Sequence, residues 1–162
     1  AYRSISDGTG NLLATGRTAQ GQAQPGADRV TAFNPANDRL VLHREDLGLG
    51  DGGVVQVGVA RPTGSVMVFH PDTRLSNAAG GVPFNEGFSV LNAIAQGLLN
   101  PALNASGDAP AMLLIGQGNS TGLYRWADTN ANGLLGLGDD LRLMAVIDAA
   151  VTAFSASNID LI

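Results

Sequence analysis

Apolar and polar positions alternate in short runs along most of this chain, and the runs have the length and period of strands. Val54–Val59, Ser65–Phe69, Ala111–Ile115, Gly122–Trp126 and Asp140–Ile147 are rich in aliphatic or aromatic side chains and fall near the roughly four-to-eight-residue span of a strand. Shorter runs at Asp28–Phe33 and Arg39–His43 add two more, with a turn at Asn34-Pro35-Ala36-Asn37-Asp38 between them. Arg61-Pro62-Thr63-Gly64 has the residues of a type I turn, so Val54–Val59 and Ser65–Phe69 are expected to form a hairpin. Gln117–Thr121 reads as a polar hairpin connection, and Val151–Phe154 and Asn158–Ile162 as a final strand pair. The C-terminal residues, apolar to the last position, are expected to be paired into a sheet.

One stretch has a different period. Phe88, Leu91, Ile94 and Leu98 recur at steps of three and four, which places them on one stripe of a helix. Asn85 can cap that helix, Glu86 complements its dipole, and Pro101 marks its end. The fold class that follows is mainly β: antiparallel sheets, a sandwich or a β-roll-like arrangement, with one short helix packed on a sheet. The expected division is a loop-rich lead-in over 1–27 and a β-rich domain over 28–162. The latter comprises a first β half (28–82), the helix (83–101) and a C-terminal β half (102–162).

Composition narrows the function classes. The 162 residues suffice for one domain with a sizeable core. With 44% hydrophobic and 14% charged residues, the chain is too apolar for intrinsic disorder. All nine basic residues are arginines, they form no stripe, and the net charge is −5, which argues against a nucleic-acid partner. With no cysteine there is neither a disulfide staple nor a thiolate ligand or nucleophile, which leaves a bound metal as an alternative staple. No apolar run reaches the roughly 18 residues of a membrane span. The first residues, Ala1-Tyr2-Arg3-Ser4, lack the core of a signal peptide; export would rely on a signal already removed, lying upstream, or at the C-terminus.

The segment with the clearest chemistry is Asp128-Thr129-Asn130-Ala131-Asn132-Gly133. Oxygen-bearing side chains at alternate positions followed by glycine form the first half of a calcium loop. A hard cation needs six or more oxygens at about 2.3–2.6 Å, and the glycine allows the sharp turn that wraps the chain around it. The Leu134 carbonyl takes the seventh position, Asp139 the twelfth and Asp140 the next. The candidate metal set is therefore Asp128, Asn130, Asn132, Leu134, Asp139 and Asp140, with Ca2+ as the ion. Aspartate is shorter than the usual glutamate at the twelfth position, and the flanking segments are strand-like. A second reading stays open: a metal-free hairpin with Asn132-Gly133 as a type I′ tip.

Other chemistry is sparse. His43 and His70, next to strands, read by default as exposed or hydrogen-bonded histidines. Gly48-Leu49-Gly50-Asp51-Gly52-Gly53 is a turn or a second cation site, and Asp38, Glu45 and Asp46 a solvated edge. No HExxH or phosphate loop is present, so no catalytic residues are assigned and the chain is read as non-enzymatic.

Two stretches carry a family resemblance. Gly26–Leu42 followed by Leu47-Gly48-Leu49 resembles the segment that follows calcium β-roll repeats in RTX-type exported proteins. Ala111–Ile115, Gly122–Trp126, the Asp128 loop, Leu141–Ile147 and Phe154–Ile162 resemble the C-terminal regions of type I-secreted bacterial proteins, including RTX, bluetail-type and S-layer proteins. About 100 residues are covered, by short motifs, and the nonapeptide repeats of RTX proteins are missing. The resemblance implies an extracellular or cell-surface location, an uncleaved C-terminal export signal and calcium-assisted folding. The expected role is a C-terminal cap and secretion module or a self-assembling surface subunit, with calcium, further copies or upstream domains as partners. Two rivals are an adhesin or carbohydrate-binding module with Tyr124, Trp126 and His70 on an exposed patch, and the non-catalytic end of a secreted hydrolase.

Overall fold

The computed structural model describes residues 28–51, 54–56, 67–75, 87–100, 110–133 and 135–162. The expected lead-in over 1–27, the Asn85 cap with Glu86, the Pro62 turn and Leu134 lie outside the described residues.

Nine strands and one α-helix are described: β1 (Asp28–Val30), β2 (Leu40–Leu42), β3 (Val54–Gln56), β4 (Met67–Leu75), α1 (Gly87–Ala95), β5 (Leu99–Asn100), β6 (Ala111–Gln117), β7 (Ser120–Ala127), β8 (Asp140–Ile147) and β9 (Ile159–Leu161). The fold is mainly β, in a mixed sheet ordered β1-β8-β7-β6-β4-β3, with β5 paired to β4, and a separate pair β2-β9. β6, β7 and β8 form the expected antiparallel meander. β3 and β4 do not form a hairpin: they run parallel, with Val54 opposite Met67. A period-two pattern tells which face a residue takes but not which way its neighbour runs, so the alternation fitted either direction. Parallel pairing also joins β1 to β8, β2 to β9 and β4 to β6, with α1 in the connection between the last two.

The central strands are covered on both faces. Six consecutive residues of β6, Ala111–Gly116, are buried, the continuous run expected of a strand between two layers. On one face, Val90, Leu91 and Ala93 of α1 pack with Leu113, Ile115, Tyr124, Trp126, Leu141 and Leu143. On the other, Leu40 and Leu42 of β2, Leu47 and Leu49 of the following turn, Phe154 and Ile159 pack with Met112, Leu114, Leu123, Met144 and Ile147. A bulge between β7 and β8 places Leu123 opposite Ala145 and Tyr124 opposite Leu143, which leaves Met144 as an additional residue. Leu141 and Leu143 consequently face the helix, while Met144, Ala145 and Ile147 face the β2-β9 layer.

The helix ends earlier than Pro101. The Gly97 N–H bonds the Ile94 carbonyl at 2.9 Å and the Leu98 N–H bonds the Ala93 carbonyl at 3.0 Å. With Gly97 at φ 73° this is a Schellman cap, whose left-handed residue glycine adopts without steric cost. Ile94 and Leu98 of the expected stripe pack against the helix-side core.

The C-terminal segment also differs in part. Val151–Ala153 and Ala156–Asn158 are short 3-10 turns, and only Ile159–Leu161 is a strand. Asn158, the buried last residue of the second turn, takes the backbone N–H of Ser155 on Oδ1 (2.9 Å) and donates through Nδ2 to the carbonyls of Pro35 and Asp38. One amide side chain thereby ties the 34–38 turn to the last strand. Arg29–Asp148 (2.7 Å) and Arg39–Asp160 (3.0 Å) add ion pairs beside the two outer parallel pairings.

Candidate functional site

The Asp128 loop connects β7 to β8, whose last paired residues are Ala127 and Asp140. Both flanks are strands, so the loop has no helix pair around it. The left-handed residues are Ala131 (φ 53°), Gly133 (φ 73°) and Gly138 (φ 100°). A type I′ turn needs positive φ at both central residues; the loop supplies them at 131 and 133 rather than at the Asn132-Gly133 pair.

The side chains at the first and third loop positions organise the backbone. Asp128 Oδ2 accepts the Gly133 N–H at 2.6 Å, and its Oδ1 takes the Asn132 N–H at 3.3 Å. Asn130 Oδ1 accepts the same Asn132 N–H at 3.0 Å. These bonds curl residues 128–133 back onto Asp128, the local turn that Asp and Asn form when the chain offers them amides two to five residues on.

A second set of bonds closes the loop. Asp139 is fully buried. Its Oδ2 accepts the Trp126 indole N–H at 3.0 Å and the Gly136 N–H at 3.0 Å, and its Oδ1 accepts Asn130 Nδ2 at 3.1 Å. A buried carboxylate requires such donors to replace lost hydration. Thr129 Oγ1 donates to the Gly138 carbonyl across the loop, and Leu135 is anchored in the helix-side core. Asn130 therefore links the two halves: its oxygen holds the turn and its nitrogen holds Asp139.

The six sequence-derived positions are thus distributed unevenly. Asp128, Asn130 and Asp139 share one hydrogen-bonded loop, joined by the backbone of Asn132, whose residue is exposed. Asp140, opposite Ala127 in register, lies on the sheet face away from Trp126, where its charge acts on Arg125. Among the described residues, its Oδ1 is buried without a hydrogen-bond donor. The Arg125 guanidinium is held below its ordinary value by desolvation first, with Asp140 opposing that and Arg142 adding to it. Its Nε–H donates to the Leu47 carbonyl at 2.9 Å, which ties the cluster to the 43–50 turn.

Among the described residues, no three His, Cys, Asp or Glu side chains group to hold a metal ion. A cation at this loop would depend on the Asp128 carboxylate, the amide oxygens of Asn130 and Asn132, and a backbone carbonyl. That all-oxygen, low-charge donor set suits calcium better than a transition metal. Asp139, with three donors on its two oxygens, braces Asn130. Tyr124 and Trp126, the aromatics of the exposed-patch alternative, are fully buried, so they form no surface patch. Burial pushes the Tyr124 hydroxyl well above its ordinary value. Asp51 is exposed, and the two glycines after it lie outside the described residues.

The sequence reading did not find the Trp126–Asp139–Asn130 chain. A signal was present: a lone tryptophan in an apolar strand generally finds an acceptor when buried, and Asp139 is the aspartate that immediately precedes β8. Scans against family models, curated proteins and solved structures find no match.

Proposed function

We propose that this domain is a calcium-stabilised structural module of an exported protein, acting as a C-terminal cap and secretion unit or as a self-assembling surface subunit. The observation that supports the calcium part is the convergence of Asp128 Oδ1 and Asn130 Oδ1 on the same Asn132 N–H, which brings two oxygen donors together at the start of the loop. The long contact at Asp128 Oδ1 leaves that oxygen with unused acceptor capacity. Asp128, Asn130 and Asn132 would hold the ion, which would cross-link the start of the loop to its centre. The export and surface role is supported by the resemblance of the two sequence stretches to type I-secreted proteins.

With one carboxylate in the direct set, affinity falls in the weak extracellular range of roughly 10⁻⁴–10⁻³ M. Free calcium at about 100 times the dissociation constant would then add about 2.7 kcal/mol to folding stability. Thermal melts in calcium and in EGTA are the test. A midpoint that rises with calcium, and not with equal magnesium, is expected; identical midpoints in all three conditions would overturn the calcium part.

A further inference from the structure

The loop also contains a reaction that needs no cation. Asn132-Gly133 is the only Asn-Gly pair in the chain, and it occupies an exposed part of the loop. Such a pair is chemically labile because glycine has no Cβ to keep its backbone nitrogen from the preceding side-chain carbonyl. The nitrogen in question, that of Gly133, is the one whose N–H is held by Asp128 Oδ2 at 2.6 Å.

We propose that Asn132 is the principal spontaneous deamidation site of this protein and that the Asp128 carboxylate sets its rate by restraining the attacking nitrogen. The Gly133 nitrogen loses its proton to solvent base and bonds to Cγ of Asn132. The Cγ–Nδ2 bond then breaks and ammonia leaves, giving a five-membered imide that spans residues 132 and 133. Water opens this ring. Cleavage of the nitrogen–Cγ bond gives aspartate, and cleavage of the nitrogen–main-chain carbonyl bond gives isoaspartate; no oxidant or reductant is involved.

While the Gly133 N–H is bonded to Asp128, the nitrogen is directed at the carboxylate, and the turn is fixed by the further bonds from the Asn132 N–H to Asp128 and Asn130. Attack requires that turn to open. Reaction therefore proceeds through a locally open population, as in amide exchange. The isoaspartate product inserts a methylene into the main chain between the two bonded amides, so it cannot restore both bonds. The aspartate product instead adds a second carboxylate at the fifth loop position.

Peptide mapping by mass spectrometry after incubation at mildly alkaline pH tests this, with the full chain and no divalent cation. Asn119, which is exposed and precedes a serine, serves as the internal comparison. Expected are an accumulation of the NH2-to-OH mass gain at Asn132 ahead of Asn119, and an increase of about tenfold at Asn132 in Asp128→Ala, the factor that corresponds to loss of one hydrogen bond to a charged group. Asp128→Asn, which keeps an acceptor at that position, should fall between; it carries the same comparison if the alanine variant does not fold. Equal Asn132 rates in wild type and a folded Asp128 variant, or Asn119 reacting as fast as Asn132, would overturn the proposal. Slowing by calcium bears on the cation reading alone, because the rate difference between variants is measured without it.

Discussion

Trp126 and Asp139 meet in the core: the indole N–H donates to the buried carboxylate at 3.0 Å, so the end of β7 and the residue preceding β8 share one polar contact beneath the hydrogen-bonded loop. Replacing Trp126 with phenylalanine keeps most of the apolar volume but leaves Asp139 one donor short. The expected loss is about 1–3 kcal/mol, read from urea unfolding. A double-mutant cycle of Trp126→Phe with Asp139→Asn should show coupling above about 0.5 kcal/mol; additive effects would mean that the two groups do not interact in solution.

Two left-handed glycines should respond differently to alanine. Gly97 (φ 73°) has open space where a Cβ would stand, so Gly97→Ala should lose only the backbone preference, about 1 kcal/mol. Gly138 (φ 100°) would place a Cβ 3.0 Å from Asn130 Nδ2, the atom that bonds Asp139. Gly138→Ala should cost more, about 1–3 kcal/mol, and should also change the Trp126 fluorescence as the Asp139 contact rearranges. Equal losses for the two variants would count against the loop geometry.

Asn158→Ala is expected to be among the costlier single substitutions. It removes the donor to the Pro35 and Asp38 carbonyls and the acceptor for the Ser155 N–H in a buried setting, about 2–3 kcal/mol in total. Arg29→Ala, by contrast, breaks an exposed ion pair and should cost less than about 1 kcal/mol. Chemical denaturation of both variants gives the comparison, and a reversed order would refute it.

Tyr124 sets an alkaline limit. Its hydroxyl is raised by burial above the ordinary value of 10.0, so the folded chain keeps this proton after the unfolded chain has released it. Below pH 10 both forms are protonated and the residue's contribution to stability is fully present. As pH rises beyond that value the unfolded state gains by ionising, and stability falls until the folded pKa is reached. Stability curves against pH should lose part of their alkaline decline in Tyr124→Phe; superimposable declines would show that another group is responsible.

The strands were the most legible part of the sequence because burial imposes a period on them. β8 was expected at Asp140–Ile147 and stands there, and β7 was expected within two residues of each end. Strand direction was not legible, since the side-chain period is identical in parallel and antiparallel pairs; β3 and β4 show this. The helix terminus was assigned to Pro101 because proline is the stronger breaker, but Gly97 ends it earlier with backbone bonds of its own. At the loop, Asp128 and Asn130 were legible from their spacing. The burial of Asp139, its bond to Trp126 and the opposite orientation of Asp140 depend on the register of two strands, which no local pattern records.

The parallel pairing of β2 with β9 has a kinetic consequence. Arg39 and Asp160, which flank that pairing, are 121 residues apart in the chain, and Arg29 and Asp148 are 119 apart. Contacts this distant in sequence close late, because the entropy of a long intervening chain is lost before they can form. The lower layer of the core, with Leu40, Leu42 and Ile159, therefore cannot assemble on a ribosome until the segment through Leu161 has emerged. Up to that moment the face of the meander β6–β8 that packs with Leu40, Leu42 and Ile159 is incompletely covered, and the nascent chain carries that apolar surface in contact with water.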